Sequence, residues 1–246
     1  MNRILNTGLI ALLFGLVTAC ENEIDNYEAP NGGVYGSIYD KETHEPIPMP
    51  VAGSSGVMIS LYEQNTGATA SVDFRARQDG TFEHTKVFNG DYRIQAKDGP
   101  FVAVCEGYVT VNGQTQVDLY TIPFSRASLD VSVLDDNKLS LVYDVKVSNE
   151  TLTLTDVSAI WNYSPGVDVN STNLAGISSL GSVESGTYIW DLMNDTQFIE
   201  NHYKILANKN RVYVRIASTV TVNGKSYVNY SPVVEVKVND ILGNNQ

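Results

Sequence analysis

The sequence predicts an all-β protein built as two tandem β-sandwiches, and three observations predict it. Apolar and polar side chains alternate with period two through most of residues 32–239. Strand-length segments recur about every eight to twelve residues, divided by Gly, Asn and Asp. Roughly 225 residues follow the N-terminal leader, enough for two cores of ordinary domain size. Hydrophobic content of 43% and charged content of 18% fit a globular chain. The formal charge of −12 argues against nucleic acid as a partner.

Residues 1–19 stand apart as a leader. Arg3 gives a positive start, an apolar run from Leu9 to Val17 is broken by Gly15, and Val17-Thr18-Ala19 precede Cys20. The run is shorter than the ~20 apolar residues of a membrane span. This site resembles the bacterial lipobox, which implies cleavage before Cys20 and a diacylglycerol on its thiol. An ordinary secretory leader is the alternative. Several acyl chains on one residue anchor stably, at ~0.8 kcal/mol per buried CH₂, without a transmembrane helix. Residues 20–31 then form a tether. Its Glu21, Glu23 and Asp25 resemble the export signal of Bacteroidetes lipoproteins sent to the cell surface, with a plain solvated spacer as the alternative. The location implied is the outer membrane, lipid-anchored and facing outward. The one other cysteine, Cys105, lies in the apolar run Phe101-Val102-Ala103-Val104-Cys105 and is expected to be a buried, unreactive thiol.

The first sandwich is expected over residues 32–123. Val57, Ile59 and Leu61 alternate with Met58, Ser60 and Tyr62, and Tyr92, Ile94 and Ala96 with Arg93, Gln95 and Lys97. Asn112-Gly113 is expected to close a tight hairpin, and Asp79-Gly80 and Asn89-Gly90 two further turns. Gly36-Ser37-Ile38-Tyr39-Asp40, Thr43, Glu45-Pro46-Ile47-Pro48, residues 57–61, Asp79-Gly80-Thr81-Phe82 and Gly90-Asp91-Tyr92 follow in an order that resembles the carboxypeptidase regulatory-like domain, a transthyretin-like sandwich. Residues 51–56 are inserted relative to that pattern. The resemblance implies a spacer or docking module without catalytic residues.

The second sandwich is expected over residues 127–239. Leu139, Leu141, Tyr143, Val145 and Val147 form one stripe, and Val157, Ala159, Trp161 and Tyr163 another. Asp135-Asp136-Asn137 and Asn223-Gly224 read as turns, and Ser231-Pro232 as a break in the last strand. Asp195 ahead of Phe198, Ile199, Tyr203 and Leu206 predicts one short helix over 196–206. Tyr213-Val214-Arg215-Ile216-Ala217 followed by Ser231-Pro232 resembles the last strands of a fibronectin type III or immunoglobulin-like domain. Between the two blocks, residues 124–126 carry no rigid motif.

Together, the lipobox, acidic tether, transthyretin-like block and type III-like block resemble a family of Bacteroidetes surface lipoproteins associated with SusC/SusD nutrient importers. That resemblance implies a non-catalytic accessory role in glycan import, or a docking role with no small ligand, with importer proteins and a polysaccharide or oligosaccharide as partners.

The residues themselves offer little chemistry. His44, His84 and His202 are scattered and are expected to be lone, exposed side chains; no metal or cofactor pattern stands out. Gly53-Ser54-Ser55-Gly56 is not a nucleophile elbow. No carboxylate pair has a recognisable frame for glycoside hydrolysis. What remains is aromatic: 14 Tyr beside seven Phe and two Trp. Tyr163, Tyr188 and Trp190 are the candidates for a glycan platform, with core packing as the competing role of the tryptophans. Arg211, Tyr213 and Arg215 read as an outward stripe suited to a protein partner.

Overall fold

The computed structural model describes residues 28–134 and 137–239. Cys20, the acidic tether up to Asp25, and Asp135-Asp136 lie outside the described residues. Residues from Asn31 onward form one compact unit, and within it four sheets make two sandwiches.

In the N-terminal sandwich, β1 (Gly32–Asp40) is flanked by β4 (Thr81–Val87) on one side and by β7 (Gln114–Gln116) and β8 (Leu119–Thr121) on the other. The facing sheet runs β3 (Val72–Arg75), β2 (Met58–Glu63), β5 (Gly90–Lys97), β6 (Cys105–Val111). Ile38, Phe82, Ile59, Leu61 and Ile94 fill the space between them and are fully buried. Each such apolar side chain contributes ~1.5–3 kcal/mol when removed from water. Cys105 is part of this core, and burial pushes its thiol up to about 12, as its apolar setting leads one to expect. The Asn112-Gly113 turn is not the expected hairpin. β6 pairs with β5, whereas β7 pairs in parallel with β1, so the turn carries the chain across from one sheet to the other.

In the C-terminal sandwich, β9 (Ser125–Leu134), β10 (Lys138–Val147) and β13 (Ser185–Asp191) form a three-stranded sheet. It faces β12 (Gly176–Ser179), β11 (Thr153–Asn162), β14 (Arg211–Val222), β15 (Lys225–Tyr230) and β16 (Val234–Lys237). Asn223-Gly224 makes a true hairpin, with φ of 51° and 78° and Val222 opposite Lys225. β15 and β16 both pair with β14 along one edge. Ser231 bridges the break between them, donating its N–H to the Ile216 carbonyl and accepting from the Ile216 N–H.

The expected single helix is two short ones, α1 (Thr196–Glu200) and α2 (His202–Ala207), broken at Asn201. His202 is buried beside Phe198, with ring centroids 6.4 Å apart, so it is not an exposed histidine.

The stripe Arg211, Tyr213, Arg215 does not face solvent as a unit. Only Arg211 reaches the surface, 3.2 Å from Glu235. Tyr213 and Arg215 are buried because β14 is covered on both faces. Residues 163–175 fold over its outer side, closing a third cluster of Ile160, Val167, Tyr213, Ala217 and Tyr230.

Arg215 sits where that loop meets the first sandwich. Its Nη1 donates to the carbonyl oxygens of Met49 at 3.0 Å and Val167 at 2.9 Å, and Nε donates to that of Ser231 at 2.7 Å. The Asp168 carboxylate, also buried, accepts from Val51 N–H at 2.8 Å and Ser55 Oγ at 2.6 Å. Residues 49–55 thus grip the second sandwich, joined by Gln78, whose Nε2 donates to the Pro165 carbonyl oxygen at 2.7 Å. On the other side of the junction Arg126 Nη2 donates to Asp40 Oδ1 at 2.9 Å, and Asn229 Nδ2 donates to the Pro100 carbonyl oxygen at 3.2 Å. The link at 124–126 needs no stiffness of its own, because polar contacts on either side hold the two sandwiches together.

Candidate functional site

The site begins with an edge. β13 and β12 are outer strands of the two sheets of the C-terminal sandwich, so the sandwich would stand open between them. Tyr188 spans that gap, its hydroxyl 3.0 Å from Ser178 Oγ. The same alternation that turns Tyr188 inward sends Trp190 deeper, into the core. Trp190 is 3% exposed and Trp161 4%. Their rings lie 5.1 Å apart between centroids, tilted by 39°, and Phe198 of α1 meets Trp190 edge-on at 5.8 Å. Trp190 is thus a core residue, not a ring laid open to a ligand; the sandwich spends its tryptophans on its interior.

Asp195 fastens this aromatic floor to the surface. Its Oδ1 accepts the Phe198 N–H at 2.9 Å, capping α1, and its Oδ2 accepts the Trp190 indole N–H at 2.6 Å. One carboxylate thereby fixes both the start of the helix and the rotamer of the indole. Gly176 presses against the other tryptophan: a Cβ there would lie 2.1 Å from Trp161 Nε1.

Above this floor lies an open groove between β13, α1 and Ser178. Tyr188 and the edge of Trp190 form its apolar part. Asp191, Asn194, Thr196 and Gln197 form its polar part. Asp191 is held from two sides, by Asn194 Nδ2 at 3.0 Å and by Lys138 Nζ at 3.8 Å. Thr196 and Gln197 are exposed. A half-buried tyrosine beside amides, a hydroxyl and a carboxylate can take the C–H face of a sugar on one side and its hydroxyls on the other. Among the described residues no group of His, Cys, Asp and Glu could hold a metal ion.

Tyr163 does not join Tyr188. It sits at the far side of α2, with Lys204 Nζ 4.6 Å from its ring centroid and Asn208 Nδ2 donating to its carbonyl oxygen at 2.7 Å. The anticipated platform of three rings is therefore one groove with Tyr188 in it. The polar partners, Asp191, Asn194 and Gln197, were missed from sequence, because they become neighbours only once α1 folds back against β13. The N-cap Asp195 was the one available signal.

Comparison with known proteins now places the fold. Residues 33–122 match the N-terminal domain of the family described as protein of unknown function DUF3823. No curated protein matches the chain. Among solved structures, a DUF3823 family protein from Parabacteroides merdae is 21% identical, with a TM-score of 0.70 over 85% of this chain and 100% of that one. A DUF3823 family protein from Bacteroides ovatus is 16% identical, with a TM-score of 0.68 over 84% of this chain and 99% of that one. A protein from Bacteroides uniformis described as a candidate carbohydrate binding protein is 20% identical, with a TM-score of 0.63 over 85% and 99%. At these identities the likeness is one of fold, all-β and shared along most of the chain.

Proposed function

We propose that this chain, similar over residues 33–122 to the DUF3823 N-terminal domain, is a non-catalytic glycan-binding lipoprotein of the outer-membrane surface. It is anchored through Cys20, faces outward, and serves a SusC/SusD-type importer. The observation that carries the reading is the polar groove at Tyr188, set on the rigid floor of Trp161, Trp190 and Phe198. Preorganised side chains lose little entropy on binding, which matters for weak polar ligands such as sugars. The carbohydrate-binding description of the Bacteroides uniformis neighbour supports the same reading. Both acids at the groove help shape it: Asp195 accepts from the indole N–H and the helix-start N–H, and Asp191 accepts from Asn194 and lies 3.8 Å from Lys138 Nζ.

The test is affinity electrophoresis of the purified chain through gels containing a panel of polysaccharides, followed by titration calorimetry on any that retard it. Retardation by at least one polymer is expected. Silence across a broad panel sinks the glycan reading.

A docking role without a small ligand has its own observation. Val142 and Ile189 stand exposed on the outer face of the three-stranded sheet. Co-purification of importer subunits with the tagged chain, lost on Val142→Asp and Ile189→Asp together, would favour that second reading.

A further inference from the structure

β1 enters the first sandwich at the end farthest from the second. Gly32 lies opposite Val87 and Gly33 opposite Gln114, whereas Asp40, at the other end of the strand, meets Arg126 at the junction. Three connections turn at the same end as the entry. Residues 64–71 join β2 to β3, residues 88–89 join β4 to β5, and residues 112–113 join β6 to β7. The chain therefore enters the fold through a pole made of three loops.

These loops are tied into one surface. Asn89 Oδ1 accepts the Gly113 N–H at 3.0 Å, and the Gln64 N–H donates to the Asp91 carbonyl oxygen at 2.8 Å. A Cβ on Gly32 would lie 2.7 Å from Asn89 Oδ1, so the incoming strand touches the middle loop directly. The Tyr92 hydroxyl donates to the Phe88 carbonyl oxygen at 2.9 Å and braces the turn from behind. On this braced turn the Phe88 ring is 46% exposed.

The pole is also bare of charge. On a chain with 28 Asp plus Glu and 16 Lys plus Arg, residues 64–71, 88–90 and 112–116 contain none of the four. They are amides, hydroxyls, glycine and alanine around one phenylalanine. Glu63, Lys86 and Asp91 flank the loops from the strand ends, and Asp91 accepts from Thr110 Oγ1 at 2.6 Å. An uncharged polar rim around an exposed ring suits the boundary between lipid headgroups and acyl chains. The charged flanks of the same sandwich would be costly to desolvate there.

We infer that this pole rests on the lipid surface, with the Phe88 ring seated between headgroups and acyl chains. The inference rests on the proposed anchoring of the chain through Cys20. Eleven residues (31 − 20) lead from Cys20 to Asn31, so at most ~40 Å of chain separates the anchor from β1. On so short a leash the contact is intramolecular, and one ring can do what a free protein would need several to do. With this pole down, the first sandwich is a pedestal. β1 runs nine residues up to the junction. β10 continues from Val147, opposite Ser125 at the junction, to Lys138, opposite Asp191 of the Tyr188 groove. The junction thus lies between the lipid and the groove.

The experiment adds single tryptophans to the full lipidated chain, reconstituted on phosphatidylcholine vesicles with and without brominated acyl chains. Phe88→Trp reports from the pole, and Tyr203→Trp from an exposed site on α2 in the second sandwich. The buried Trp161 and Trp190 supply a common background. Bromination should cut the added Phe88→Trp emission roughly twofold, as for a ring ~5–10 Å into the headgroup boundary, and leave Tyr203→Trp unchanged. Thermal melts confirm folding, and Thr69→Trp on the neighbouring loop repeats the reading with the same expectation if Phe88→Trp melts early. An unquenched pole reporter on chains that float with the vesicles would overturn the inference and leave the anchor standing. Equal quenching of Tyr203→Trp would overturn it by laying the chain flat on the lipid. Blue-shifted emission from Phe88→Trp in a lipid-free Cys20→Ser chain would overturn it too, since protein would then cover the ring. Chains that do not float, with Cys20 unmodified by mass spectrometry, would remove the anchor and this inference with it.

Discussion

The Asp195 carboxylate accepts the indole N–H of Trp190 at 2.6 Å, and through this contact the helix start and the aromatic floor of the groove become one structure. Replacing Asp195 by Ala removes a cap, typically ~1 kcal/mol, and leaves a buried indole N–H unpaired, ~1–3 kcal/mol more. The expected loss is about 2–4 kcal/mol in urea denaturation. Asp195→Asn keeps an acceptor for one of the two donors and should lose less than half of that.

Arg215 holds the two sandwiches together from inside. Arg215→Met keeps the bulk but strips three carbonyl oxygens, of Met49, Val167 and Ser231, of their donor. A loss of about 3–5 kcal/mol is expected, of the size seen when buried charged networks are broken. Arg215→Lys should not rescue it, since an ammonium cannot reproduce the planar fork. Limited proteolysis within residues 51–56 should rise in both variants, because that segment is the one released.

Acid should loosen the same junction from its other side. Burial alone would push the Asp40 carboxyl up. The hydrogen bonds from Arg126 and the Glu42 N–H, with the Arg126 charge, outweigh it and hold the carboxyl below its usual range. A depressed carboxyl stabilises the fold fully above its unfolded pKa of ~3.9, and that stability is lost as pH falls through the lower folded value. Denaturation midpoints should therefore drop below pH ~4 in the native chain. Arg126→Ala should cost about 2–4 kcal/mol at neutral pH, by leaving the Asp40 carboxylate buried without its partner. It should also flatten this acid dependence.

Gly176 is required by Trp161. Gly176→Ala sets a methyl carbon within van der Waals distance of the indole, so β12 or the ring must shift. About 1–3 kcal/mol of destabilisation is expected, with a change in tryptophan fluorescence.

The outline of the fold was legible because period-two alternation reports directly on half-buried strands. Residues 57–62 and 92–97 read correctly, as did the Asn223-Gly224 hairpin and the cap at Asp195. Alternation separates two faces of a strand but does not say which one meets water. Arg211, Tyr213 and Arg215 therefore looked like a surface stripe, whereas a loop some forty residues upstream covers two of them. A turn dipeptide likewise reports a reversal and not a pairing, so Asn112-Gly113 concealed a crossing between sheets. Of the site, Tyr188, the edge of Trp190 and the helix start could be found.

Titration of the purified chain with a glycan that retards it, repeated on Tyr188→Ala, tests the central claim most directly. A folded chain with a lowered melting point, because Tyr188 also closes the gap to Ser178, and with affinity reduced about tenfold is the result expected for the loss of one stacking ring at the groove. Unchanged affinity in a well-folded Tyr188→Ala chain would contradict the assignment of that groove as the glycan site.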